Sequence, residues 1–84
     1  MWYVYVLKNN LSKWYIGSTK DIRKRILQHN SGSNKSTKYG RPWKIVYCEI
    51  SLNKLDARAR EKYLKSGMGR RYIKNRLKFF LQNF

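Results

Sequence analysis

The sequence predicts an α+β domain: a three-stranded antiparallel sheet flanked by helices, in the order β-β-α-β-α-α. Three runs rich in β-branched and aromatic residues, "WYVYVLK" (2–8), "KWYIG" (13–17) and "WKIVYCEI" (43–50), read as strands. Between and after them, apolar residues recur at helical spacing. Residues 31–42, "SGSNKSTKYGRP", gather most of the turn formers and the one proline, so this segment reads as a loop.

The first strand is apolar or aromatic on both faces, as expected of a strand covered on both sides. With "KWYIG" it forms a hairpin closed at residues 9–12. A helix is expected over 18–30, opened by Ser18 with Asp21 three residues later, and carrying Ile22 and Ile26 on one face. Next comes the third strand, then a helix over 53–66 opened by Asn53 and closed by Gly67. Leu52, Leu55, Ala59 and Tyr63 mark one side of it, and Ala57 and Leu64 a second apolar edge. A last helix over 70–84 places Ile73, Leu77, Phe80 and Phe84 at helical spacing.

At 84 residues there is room for one modest core, so residues 1–84 read as a single domain. No run approaches the roughly 20 apolar residues of a membrane span, and no secretory leader is evident, so no membrane association is expected. Cys48 has no partner, which excludes a disulfide framework and suits a cytoplasmic location. The charge is the dominant bulk property. Twenty Lys and Arg face four acids, a net +16, and the cations are interleaved with Tyr and Trp. A polyanion is the expected partner, bound in a salt-sensitive way.

With so few acids, each can be weighed. Asp21 and Asp56 fall in first helical turns, where the helix dipole accounts for them. Glu49 ends a strand. Glu61 is mid-helix and could simply pair with Lys65 one turn on. Arg25 and His29, at i and i+4, line the margin of the Ile22–Ile26 stripe. There they could bind a phosphate and share a proton, or Arg25 could pair with Asp21 while His29 ends the helix. No Cys/His cluster, Gly-rich phosphate loop or Ser/His/Asp spacing is present.

Together, "YVY" (3–5), "YIG" (15–17), "DIRKRILQH" (21–29) and the downstream Glu61 resemble the GIY-YIG nuclease superfamily. The likeness is to its small stand-alone bacterial members, related to the catalytic domain of the excision-repair endonuclease subunit. The resemblance implies a metal-dependent endonuclease acting on DNA, with RNA not excluded. Of Tyr5 and Tyr15, it implies that one is general base and the other orients water or phosphate. Arg25 would stabilise charge on the scissile phosphate, and His29 would assist. Glu61 would hold a single Mg²⁺ or Mn²⁺, and Gly17 would let the backbone turn beside the site. Tyrosine is a poor base at its ordinary pKa near 10, but a nearby arginine, a metal ion and the +16 field would all favour the phenolate.

The first motif reads Tyr3-Val4-Tyr5 in place of Gly-Ile-Tyr and keeps the second tyrosine. Asn75 is a candidate for the metal-side asparagine of some members but does not align securely. The chain has no room for a separate DNA-reading domain, so cutting directed by DNA structure, in repair or recombination, is expected rather than strong sequence specificity. A non-catalytic binding module of the same fold would explain the charge and the aromatics. It would leave the joint presence of Tyr5, Tyr15, Arg25, His29 and Glu61 to chance. A basic structural protein, such as a ribosome-associated factor, is supported by charge alone.

Overall fold

In the computed structural model, which describes residues 1–82, the chain forms β1 (Trp2–Asn9), β2 (Trp14–Thr19), α1 (Ile22–Ser31), β3 (Trp43–Ser51), α2 (Lys54–Lys65), α3 (Gly67–Arg76) and α4 (Lys78–Gln82). The sheet is antiparallel in the order β2-β1-β3, with a short 3₁₀ turn at Lys38–Gly40 before β3. The expected α+β architecture and element order are present.

β1 is central because it can be buried on both faces. Val4, Tyr5, Val6 and Leu7 are all fully buried, and alternation sends them to opposite sides. Tyr5 and Leu7 join Trp43, Tyr15, Ile22 and Ile26 beneath α1. Val4 and Val6 join Ile16, Ala57, Leu64 and Ile73 beneath α2 and α3. Burying each of these aliphatic side chains is worth about 1.5–3 kcal/mol, so β1 anchors both layers.

Several boundaries differ from expectation, each for a local reason. The first helix starts at Ile22, and its cap is Asp21, whose carboxylate accepts the Lys24 N–H at 3.1 Å. Ser18 is instead a β2 residue paired with Val4, because β2 runs on to Thr19 opposite Tyr3. In α2 the inward edge is Ala57 and Leu64, while Leu52, Leu55, Ala59 and Tyr63 are exposed. Gly67 does not close α2. Ser66 ends it and at once caps α3, accepting the Gly69 N–H at 3.1 Å. This tight corner needs Gly69, where a Cβ would overlap the Tyr63 carbonyl and the Leu64 Cα.

The expected helix over 70–84 is two pieces. It begins earlier, at Gly67, and breaks at Leu77, whose backbone leaves helical geometry (φ −109°, ψ 21°). Ile73 is buried and Leu77 half-buried, but Phe80 is exposed; Phe84 lies outside the described residues. On the β3 side, Arg60 of α2 grips Glu49 through two nitrogens at 2.9–3.1 Å, and Tyr47 donates to the same carboxylate at 2.7 Å. Among the described residues no helix is long and apolar enough to cross a membrane.

Candidate active site

Strand register places the two tyrosines. Tyr5 pairs with Gly17 and Leu7 with Tyr15, so both phenol rings lie on the sheet face covered by α1. α1 then presents Arg25 and His29 one turn apart. His29 and Arg25 converge on the Tyr5 hydroxyl, which is 2.9 Å from His29 Nε2 and 3.4 Å from Arg25 Nε. The Tyr15 ring stands 4.8 Å from the imidazole and 6.4 Å from the Tyr5 ring. Gly17 provides the space. It lies mid-strand rather than in the expected turn, and a Cβ there would come within 2.6 Å of the Tyr5 hydroxyl oxygen.

Arg25 does not pair with Asp21. Its guanidinium faces Tyr5 and donates to Gln28 Oε1 at 3.3 Å. Nor does His29 merely end the helix: it is fully buried, with Nδ1 2.7 Å from Thr37 Oγ1. One tautomer satisfies every proton in this chain. Tyr5 O–H donates to Nε2, Nδ1–H donates to Thr37, and the Thr37 hydroxyl donates to the Asn34 carbonyl at 3.5 Å. Thr37 sits in the turn-rich loop, and nothing in its sequence setting distinguishes it from the serines around it.

Burial sets the electrostatics. It pushes the Tyr5 phenol up, outweighing the favourable contact with Arg25, so the expected ready phenolate is not what this pocket makes. Burial likewise lowers the His29 pKa, with a second contribution from the Arg25 charge, and the imidazole stays neutral. Arg25 is held more firmly protonated by its hydrogen bond to Tyr5.

Glu61 stands apart. It lies on α2, on the other face of the sheet, and reaches the edge strand through Ser18, whose hydroxyl donates to Oε1 at 2.5 Å. The expected Lys65 pairing is also present, at 2.9 Å from Oε2, and Arg58 lies 4.0 Å from Oε1. Burial alone would push this carboxyl up, but the Ser18 hydrogen bond and Lys65 hold it below the usual carboxylate value. A cleft of ≈ 470 Å³ at the β2 edge joins the two sides, lined by Ser18, Arg25, Gln28 and Arg58 among others. Asn75 is not brought to it; it lines a separate hollow with Met68, Arg71 and Tyr72.

The cluster thus combines a proton path and a fixed cation, while one ionised carboxylate stands across the sheet edge from it. A family model described as the GIY-YIG catalytic domain matches residues 1–78. The chain belongs to that nuclease family. It is 44% identical over 64 residues to the UPF0213 protein CPE1444 of Clostridium perfringens, covering 75% of this chain and 69% of that one. It is 42% identical over 65 residues to the UPF0213 protein SSP2268 of Staphylococcus saprophyticus, covering 76% and 79%. The solution structure of the UPF0213 protein BH0048 from Bacillus halodurans matches with a TM-score of 0.55 at 32% identity, over 89% of this chain and 84% of that one.

GIY-YIG nucleases generally use divalent metals, and Glu61 suits one hard cation: its carboxylate is ionised and is hydrogen-bonded to Ser18, which lines the cleft. Among the described residues no group of three or more His, Cys, Asp or Glu could form a closed metal cage. Any ion here would keep most of its water or take substrate oxygens.

Proposed function

We propose that this protein is a metal-dependent endonuclease that hydrolyses phosphodiester bonds in DNA, working as a cytoplasmic enzyme of repair or recombination. The observation that carries the reading is the convergence of Arg25 and His29 on the buried Tyr5 hydroxyl, with the Tyr15 ring against the imidazole. Tyr5 is the base. It takes a proton from the attacking water while its own passes to His29 Nε2, so no free phenolate is needed. The scissile phosphate sits against Arg25, and its negative charge offsets the guanidinium that depresses His29. Substrate binding therefore restores the basicity of the imidazole. Tyr15, half-buried beside the imidazole, orients the phosphate, and Arg25 stabilises the charge that grows in the transition state. Glu61 would hold Mg²⁺ or Mn²⁺, which would supply positive charge to offset the charge that builds on the phosphate.

One observation favours a non-catalytic nucleic-acid-binding module: both Glu61 oxygens already have partners, Ser18 and Lys65. Cleavage separates the two readings. Supercoiled, branched and flapped DNAs are incubated with Mg²⁺ or Mn²⁺ beside Glu61→Ala and Arg25→Ala. Cutting by the parent alone, with binding retained in both variants, supports the nuclease and identifies its substrate structure. Binding without cutting by all three proteins assigns the module.

A further inference from the structure

The hairpin end of the sheet carries two adjoining hollows that the proposed chemistry does not use, with Lys13 and Trp14 lining both. The smaller, ≈ 240 Å³, is walled by the rings of Trp14, Tyr15, Tyr39 and Trp43. Trp43 is fixed in place, its indole N–H donating to the Thr37 carbonyl at 2.8 Å, while Tyr39 is 90% exposed. A ring left that open gains nothing from the core. The larger hollow, ≈ 860 Å³, is lined by Lys8, Lys13, Arg70, Lys74 and Lys78 and by no acid.

Tyr15 belongs both to the aromatic hollow and to the cluster around His29, so the hollow abuts the reaction centre. Flat aromatic walls suit a nucleobase, and cations without acids suit a run of phosphates. A base inside a duplex is stacked and paired and cannot enter such a pocket, whereas an unpaired base can.

We infer that this end of the molecule is a binding track for single-stranded nucleic acid. It seats one unpaired base among Trp14, Tyr39 and Trp43 and the following phosphates along Lys74 and Lys78. The track rests on the nuclease reading for its place beside the scissile bond, but binding to it requires no cleavage.

The test measures fluorescence anisotropy with a short oligothymidylate and with a duplex of the same length, in EDTA, across a salt series. Variants at exposed positions keep the fold intact: Tyr39→Ala, Lys74→Gln and, outside the track on α2, Lys62→Gln. Tyr39→Ala is expected to weaken oligothymidylate binding by about five-fold or more while leaving the duplex unchanged. Lys74→Gln is expected to flatten the logarithmic salt slope for the single strand by about 0.7, and Lys62→Gln to leave it alone. The track is overturned if Tyr39→Ala affects both nucleic acids equally or neither, or if Lys62→Gln matches Lys74→Gln. Since no metal is present and no cutting is read, such a result leaves the nuclease reading to the cleavage assay.

Discussion

Tyr5 and His29 lie 24 residues apart in the chain, yet the phenol oxygen stands 2.9 Å from the imidazole Nε2 with both side chains fully buried. A buried hydroxyl and a buried imidazole that satisfy each other form one unit. Removing either strands the other. Tyr5→Phe should therefore cost about 1–3 kcal/mol in urea unfolding. It should also slow single-turnover cleavage by about 10²–10⁴-fold, the usual range for a lost proton acceptor. Tyr15→Phe, whose hydroxyl is not the hub, should lose less in both assays. An equal or greater rate loss in Tyr15→Phe would move the base to that residue.

The His29 environment sets a pH signature. The ring faces Tyr5 and Tyr15 from the sheet, Arg25 from its own helix and Thr37 from the loop. Burial first, and then the Arg25 charge, hold its folded pKa below the ordinary value of about 6.5. A depressed folded pKa means that the unfolded chain binds the proton more readily. The contribution to stability is present above about pH 6.5 and is lost as pH falls through the folded value. The acid limb of the kcat/KM profile for cleavage, which reports the free enzyme, should likewise lie below that of free imidazole. Titrating the ring by NMR, beside the rate profile, checks both; a limb at or above pH 7 would contradict the neutral-acceptor role.

Gly17 is needed for space. A Cβ there would lie 2.6 Å from the Tyr5 hydroxyl oxygen and 2.9 Å from its ring carbon Cζ. Gly17→Ala should push the phenol off His29, at about 1–3 kcal/mol in stability, and lower activity with it. Adding Tyr5→Phe removes the closer of the two clashing atoms. The double variant should then be more stable than the sum of the single losses predicts, a coupling that a thermodynamic cycle measures.

Much of this arrangement was legible because it rests on the two simplest periodicities. The two-residue alternation of β1 implies its double burial, and four-residue helical spacing pairs Arg25 with His29. What was not legible depends on tertiary contact. Ser18 with Asp21 downstream satisfies the local pattern of a cap, and only pairing of Thr19 with Tyr3 keeps Ser18 in the strand. Leu52 and Leu55 outweigh Ala57 in a count of apolar residues, yet the small Ala57 is the one packed against the sheet side. The pKa direction of Tyr5 turned on burial, which no spacing reveals, and the Thr37 contact on how the 31–42 loop folds back.

Ser18 and Lys65 hold the two oxygens of Glu61, and they should act on metal binding in opposite directions. The Ser18 hydroxyl, 2.5 Å from Oε1, ties α2 to the edge strand and fixes the carboxylate beside a residue that lines the cleft. Lys65, with its side chain 51% exposed, places a cation on Oε2 where a metal ion would compete with it. A surface pair of this kind adds only about 0–1 kcal/mol to stability, so removing it leaves the fold intact. Lys65→Ala should therefore lower the Mn²⁺ concentration needed for half-maximal cleavage, and Ser18→Ala should raise it several-fold. Binding isotherms for Mn²⁺ alone should shift in the same two directions. If both variants lower that concentration, the Ser18 hydroxyl competes with the ion for Oε1 as Lys65 does for Oε2, and Ser18 loses its role in fixing the carboxylate.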